Sequence, residues 1–522
     1  MTARPTLVLA GLIGIFSAAY GQEPNYLSAN PDSALQNILR SIEGAQLSLH
    51  DAVQSALSNA TSVRMAESEY MSAEGASRRE SGAFDPALFF SFNRFVQDQP
   101  TASFFSGAPI LTTSQNSTSG GLRINLPTGT SIEAMMSAVT LNTNSAFANL
   151  NPQYTTFGNV SLRQPLLGGF MVSGNKNARK ADRDLEAAKA RYDQEVLAVS
   201  TQVEQSYWDL YAAERDYAVQ RLTRDRAEAF LKDTETRART GLVGPNQVAN
   251  ARTFLAEQEI LLIDREEGLD RTSDALSSLI GKRPDNGKAR HIAVDTPPGD
   301  FQVGDLDALL KQAVDNNLTL QAAKADIESR RSLSDEAFWE ALPRLDFVAS
   351  LGANGLGGTG QNVIFNGDTL PPTTVGSFGQ AIHQVVTREF PTWSLGLEFN
   401  LPITLRSGLG EQERLEAEVS IAEQREIELV RILEDEVRAS YRELQNGERR
   451  LVAARAGVDA AQEQVRIGLV EFQNGRTTAF ELVRLGEDFA VAQQRYSQAL
   501  VRSAKAAAAL RQLTSGAPIS PR

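Results

Sequence analysis

The chain has 522 residues, with 51 Lys+Arg against 64 Asp+Glu for a net charge of −13, and it contains no cysteine. An acidic balance with no basic cluster excludes nucleic acid as a partner, and the lack of cysteine excludes disulfides and a lipid-modified cysteine anchor. His50, His291 and His383 stand far apart with no metal-ligand spacing, and no Gly-rich phosphate loop or nucleophile elbow occurs; the expectation is therefore no metal, no cofactor and no enzyme.

At the N-terminus, Arg4 precedes an apolar run from Leu7 to Ala19, and Ala19-Tyr20-Gly21 places small residues where a signal peptidase reads, so residues 1–21 are expected to be a removed signal peptide. A retained anchor is the alternative, against which stands a run shorter than the ~20 apolar residues that span a bilayer. No later stretch is long and apolar enough for a transmembrane helix.

Residues 22–281 read as a first repeat. Val53, Leu57, Ala60 and Val63 recur at threes and fours, which predicts a helix over 47–83 that ends before Pro86. Beyond it the period becomes two: Leu88, Phe90 and Phe92 share one face and Ser91 and Asn93 the other. Strands are expected at about 87–97, 118–126, 130–140 and 156–164, with Pro127-Thr128-Gly129 as a tight turn and long external connections at 98–117 and 142–155. A hairpin merely decorating an external loop is the alternative for the second and third strands. After Pro165 a helix is expected over 173–239, where proline is absent and glycine scarce; a glycine-containing reversal and a return helix over 246–281 follow.

Residues 282–304 are expected to be a linker at the equator, and the pattern then starts again over 305–514, leaving 515–522 as a tail. LSLHDAVQSALSN (47–59) resembles DLDALLKQAVDNN (305–317), Pro86 corresponds to Pro343, VSLRQPL (160–166) aligns with LEFNLPI (397–403) so that Pro165 meets Pro402, and Gly241 corresponds to Gly475. The second copy predicts a helix over 305–340 and strands over 344–354 and 392–401, with loop 356–388 outside. Helices over 410–473 and 478–513 follow. Leu444, Leu451, Val458 and Val465 keep a seven-residue spacing, and ~65 helical residues reach on the order of 100 Å, longer than any ordinary globular domain.

Strands apolar on one side only need a core or lipid to cover them. So few strands between such long helices cannot build a second layer, so a lipid-facing barrel shared between subunits is the expectation.

The duplicated order of helix, strand pair, very long helix, glycine tip and helix resembles the TolC-like outer-membrane factor (outer membrane efflux protein) family. QPLLGG (164–169), NLPI (400–403), RTGLVGPNQV (239–248) and FQNGRTTAFELV (472–483) are similar to its strand-exit and helix-tip motifs, over about residues 47–514. The resemblance implies a membrane α+β fold, tandem-duplicated, in which an oligomeric transmembrane β-barrel continues into a long periplasmic α-helical tunnel. It further implies an outer-membrane location, a homotrimer in contact with outer-membrane lipid, and a passive conduit for efflux or type I secretion. A periplasmic adaptor and, through it, an inner-membrane pump would be partners. A family barrel has twelve strands, so six per chain would make eighteen here, a departure that leaves the barrel's diameter open. A periplasmic adaptor or a trimeric coiled-coil surface protein remains the other reading.

By the same resemblance, Arg239, Thr240, Gly241, Leu242, Asn474, Gly475, Arg476 and Thr477 would be the tips that meet the adaptor. Glu481, Arg484, Gln247 and Asn250 would lie at the periplasmic entrance. The family often carries an acidic pair at the start of the last helix, where this chain has Glu481 but Arg484; the two could pair across the entrance or form a plain surface ion pair. Pro86, Pro165, Pro343 and Pro402 would mark the junctions between strands and helices.

Overall fold

A computed structural model of the chain describes residues 31–170, 173–284, 288–299, 301–365, 367–372, 374–401 and 403–515. The expected signal segment, Pro402 and tail residues 516–522 lie outside the described residues. The first repeat runs α1 (Pro31–Ser41), β1 (Ala45–Leu47), α2 (Leu49–Asn59), α3 (Thr61–Ser81), β2 (Ala87–Pro100), β3 (Ile110–Asn125), β4 (Ser131–Thr143), β5 (Leu150–Pro165), α4 (Lys176–Arg239) and α5 (Pro245–Ile280). After β6 (His291–Ala293) the second runs α6 (Leu306–Asn316), α7 (Leu318–Ala341), β7 (Arg344–Gly360), β8 (Val363–Phe365), β9 (Asp368–Leu370), α8 (Phe378–Val386), β10 (Phe390–Asn400), α9 (Arg406–Gln473) and α10 (Ala479–Leu513).

The single helices expected over 47–83 and 305–340 are each broken in two. Ala60 (φ −61°, ψ 127°) and Asn317 (φ −63°, ψ 124°) hold the same extended conformation at corresponding points of the two repeats. The break costs little, because Ala60 N–H still donates to Ala56 O and Asn317 N–H to Ala313 O. What it gains is a separate tilt for α2 and α6, which bury Ala52 and Ala56, and Leu309 and Ala313, against the long helices. The first helix also begins later than expected, since Leu47 belongs to β1 and Ser48 is its N-cap, accepting the Asp51 N–H at 3.1 Å.

The long helices have 64 residues in α4 and 68 in α9, about 95–100 Å at 1.5 Å per residue. Small residues let them approach: Ala504, Ala506, Ala507 and Ala508 of α10 are buried between α4 and α9. Val203, Tyr207 and Leu210 of α4 pack with Leu269 and Leu276 of α5, and Leu433, Val437 and Leu444 of α9 with Leu510 of α10, so each repeat has its own version of one core. Ile260 and Ile263 on α5 and Val452 on α9 stay exposed. Among the described residues, no helix is long and apolar enough to cross a membrane.

Around the middle of α4, β1 and β6 pair in parallel, Ala45 beside His291 and Leu47 beside Ala293. The Tyr207 hydroxyl lies 2.9 Å from Leu47 O and 3.0 Å from Asp295 Oδ2 and accepts the N–H groups of Val294 and Asp295, while the Glu214 carboxylate accepts the Ala293 N–H at 2.7 Å. These bonds fasten the segment between the repeats to α4.

All six long strands form one antiparallel sheet in the order β10-β7-β5-β4-β3-β2. β3 and β4 are full members of the ladder, not a hairpin in a loop, and β5 against β7 joins the repeats. Trp393, Leu351, Val160, Ala134, Leu122 and Leu88 stand side by side across the sheet, an apolar row on one face. The opposite face carries Ser394, Ser350, Ser161, Glu133, Arg123 and Ala87 in the adjacent row. Both outer strands, β2 and β10, leave an edge unpaired within the chain.

The expected long external connections are mostly strand. β3 begins at Ile110 and β5 at Leu150, so the connections shrink to 101–109 and 144–149. The added strand residues, such as Thr113, Ser114, Gln115 and Asn116, are polar on both faces, so no alternation announces them, yet their backbone ladder is complete. Loop 356–388 likewise contains the end of β7, the hairpin β8–β9 and helix α8.

Candidate functional site

At the end far from the sheet, α4 and α9 stop in the same way. Gly241 (φ 74°) and Gly475 (φ 66°) take the left-handed conformation that glycine adopts at least cost. Gly241 N–H donates to Ala238 O and Leu242 N–H to Arg237 O; Gly475 N–H donates to Phe472 O and Arg476 N–H to Glu471 O. Both ends are thus Schellman caps, and the following helices restart at once. α5 does so with Pro245 in its first position and α10 with Thr478 as N-cap, whose hydroxyl accepts the Glu481 N–H at 3.2 Å.

Arg239, Thr240, Gly241, Leu242, Asn474, Gly475 and Arg476 are exposed and Thr477 is half-buried. Leu242 is 76% exposed, an apolar side chain that its own chain leaves uncovered.

Gln247 and Asn250 line a cavity of about 360 Å³ between the α4–α5 turn and the first turn of α10, with Phe230, Phe254 and Phe480 as its apolar part and Asp233 and Arg237 among its polar part. Glu481 and Arg484 are not among its lining residues. Within one chain they pair with each other, Arg484 Nη2 to Glu481 Oε1 at 3.2 Å, with Arg484 exposed and Glu481 half-buried.

Three further features belong to the tips. The rings of Phe230 and Phe480 lie 6.0 Å apart, and the Arg237 guanidinium sits 5.7 Å over the Phe472 ring, so aromatic contacts tie α4 to both α9 and α10. Phe472 and Phe480 flank the second glycine turn in the sequence, but nothing local marks their partners on α4. Further up, Arg226 is 5% exposed, and a Cβ on Gly486 of α10 would come within 2.1 Å of its Nη1. Burial pushes that guanidinium down to about 10.

At the other end, the junctions form a rim. Pro86 precedes β2 and Pro343 precedes β7, while Pro165 is the last residue of β5, paired with Asp346, not a residue beyond the strand. The Pro127-Thr128-Gly129 turn closes with Gly129 N–H on Leu126 O, and Gly129 (φ 81°) packs against Gly169 O so closely that no Cβ fits. Just above, the polar face carries a balanced set of charges: Arg123 with Glu133 at 2.6 Å, Arg163 with Asp346 at 2.6 Å and with Glu398 at 2.7 Å, and Arg344 with Asp346 at 2.9 Å. Among the described residues, no group of acidic residues and histidines could hold a metal ion.

The profile of the outer membrane efflux protein family matches residues 52–282 and 309–516, most of both repeats. No curated protein matches. Among solved structures, the chain is similar to the outer membrane protein VceC of Vibrio cholerae, with 15% identity, 90% of this chain and 96% of that chain covered, and a TM-score of 0.60. The CmeC outer membrane channel of Campylobacter jejuni shows 14% identity over 90% of this chain and 85% of that one, with a TM-score of 0.61. The open state of the MtrE outer membrane channel of Neisseria gonorrhoeae shows 14% identity over 90% and 89%, with a TM-score of 0.60.

Proposed function

Because the chain belongs to the outer membrane efflux protein family, we propose that three copies join edge to edge, β2 of one against β10 of the next, and so close one eighteen-stranded barrel, three times the six strands of one chain. An open sheet edge does not persist in a bilayer, and sharing the barrel removes every edge. A barrel of 16–18 strands leaves an aqueous channel, which six strands cannot enclose. The observation that carries this reading is the apolar row from Trp393 to Leu88, facing away from the charged row that would line the lumen.

Below the barrel, α4, α5, α9 and α10 of three copies would stand as twelve helices around one periplasmic tunnel, with exposed Ile260, Ile263 and Val452 available to neighbouring copies. The tips around Leu242 and Arg476 would dock on the helical hairpins of a periplasmic adaptor, and Gln247, Asn250, Glu481 and Arg484 would border the entrance. Solutes or polypeptides pass through without chemistry; the energy comes from an inner-membrane pump reached through the adaptor.

A cysteine-free chain makes the test direct. Ser91 of β2 and Ser394 of β10, both replaced by cysteine in one chain and treated with a bismaleimide in membranes, should yield a covalent trimer that needs detergent for extraction and conducts ions in a planar bilayer. A protein released without detergent as a monomer would refute the channel.

A further inference from the structure

Helix α8 lies on the apolar face of the sheet. Ala381 O accepts the Thr156 hydroxyl at 2.7 Å, the Leu356 N–H donates to Gln384 Oε1 at 2.8 Å, and the Tyr154 and Phe378 rings meet edge to face at 5.6 Å. Glycines make the approach possible, since a Cβ on Gly355 would meet Ala381 O at 2.0 Å and one on Gly158 would meet Val385 at 2.5 Å.

The height of α8 follows from the register. From Leu345 near the rim to Gly355 beneath α8 is ten residues, ~33 Å along the strand. At a tilt of ~40° this is ~25 Å, the height of the apolar band of a membrane barrel. The row of Gly355 runs through Thr156, Ala138 and Thr118 to Phe92, and the next row on the same face carries Tyr154, Thr140, Asn116 and Arg94, so polar groups begin one row beyond α8's contact. In a lipid-facing barrel α8 would thus sit where the hydrocarbon ends and the headgroups begin.

Beneath its C-terminal end runs a trough of about 510 Å³, floored by Gly120, Met136, Gly158 and Ala353 and lined also by Val386 and Arg388. Arg388 makes no side-chain hydrogen bond or ion pair among the described residues. Its backbone is also costly: it occupies the left-handed position of a Schellman cap (φ 58°), with Arg388 N–H on Val385 O and Glu389 N–H on Gln384 O, where glycine fits at least cost. A cation would thus be held beside an apolar trough at the level of the headgroups.

We propose that this trough holds one acyl chain of a phosphate-bearing lipid of the surrounding membrane, with the phosphate on the Arg388 guanidinium. An apolar trough in which glycine and alanine leave room beside Met136 admits a chain lying flat, and a guanidinium is the side chain best matched to phosphate. The proposal rests on the reading that the apolar face meets lipid, which fails separately if the protein leaves membranes without detergent.

The test is native mass spectrometry of the detergent-purified protein offered dioleoyl-phosphatidylglycerol or dioleoylglycerol, which lacks the phosphate. The wild type should retain the phospholipid in roughly tenfold preference. Arg388→Gly relieves the backbone strain, so it should fold at least as well yet lose that preference. Val386→Asp, at an exposed position in the lining, and Ala134→Phe, also in the lining, should each reduce retention of both lipids about tenfold. An unchanged preference in Arg388→Gly, or wild-type retention in both trough variants, would overturn the proposal.

Discussion

Arg163 and Asp346 stand 183 residues apart in the chain, yet the Arg163 Nη2 lies 2.6 Å from Asp346 Oδ2 where the last strand of the first repeat meets the first strand of the second. Asp346 is 1% exposed and takes Arg344 as well, whereas Glu398, the other partner of Arg163, is largely exposed. Removing the buried acid takes a partner from both Arg163 and Arg344 and leaves Arg344 with none of these carboxylates; removing the exposed one forfeits a solvated pair and leaves Arg163 on Asp346. Asp346→Ala should therefore cost about 2–4 kcal/mol and lower the melting temperature of the assembled protein, while Glu398→Ala should cost less than about 1 kcal/mol. Equal losses for the two variants would show that the seam is not held by this contact.

The charged face above the rim has a second consequence. Arg123, Arg163 and Arg344 balance Glu133, Asp346 and Glu398, so the proposed lumen carries no net charge at this level. Glu133→Gln with Glu398→Gln would leave two uncompensated positive charges per chain and make the pore anion-selective, and Arg123→Gln should shift it toward cations. Reversal potentials in a salt gradient across a planar bilayer read the sign directly. No shift in either variant would place these residues outside the conducting path.

At the tips, structure and proposed contact can be separated. Leu242 is exposed and a Cβ at Gly241 or Gly475 meets no atom of its own chain, so any cost of filling the glycines is backbone strain, about 1 kcal/mol each. Leu242→Asp should leave the melting temperature unchanged and abolish efflux in cells; Gly241→Ala and Gly475→Ala should lower efflux with only a small loss of stability. Normal efflux from Leu242→Asp would remove the tip from the adaptor interface.

Much of this architecture is legible in the residues because it repeats. The pairing of Gly241 with Gly475 and the alternation through Leu88, Phe90 and Phe92 are local patterns whose physics acts within a few residues, and they place the tips and the membrane-facing strands. The break at Ala60 is not legible, since alanine favours helix and only the packing of Ala52 and Ala56 on α4 and α5 decides otherwise. Its counterpart at Asn317 did carry a signal, an N-cap side chain that accepts the Leu320 N–H at 3.2 Å. The upper strands escape for another reason: from Thr113 to Asn116 β3 carries polar side chains on both faces, so Thr113 and Ser114 show no alternation although their ladder is intact. The cavity holding Gln247 and Asn250 depends on Phe230 meeting Phe480, a contact between repeats that no local spacing encodes.

The segment between the repeats supplies a pH-dependent contact. Glu214 is 5% exposed on α4, and burial raises its carboxyl to about 8 against the opposing effects of the Ala293 N–H and Arg215. Folded chains therefore hold a proton that unfolded chains release between pH 4.5 and about 8. Its contribution to stability is full below that window, falls as the pH rises through it and levels off above, by at most about 5 kcal/mol. Glu214→Gln keeps an oxygen to accept the Ala293 N–H and removes the ionisation. The variant should match the wild type near pH 5 and melt at a higher temperature near pH 8, so the difference between them should widen steadily across the range. A difference that stays constant from pH 5 to pH 8 would mean that the buried carboxyl does not titrate there.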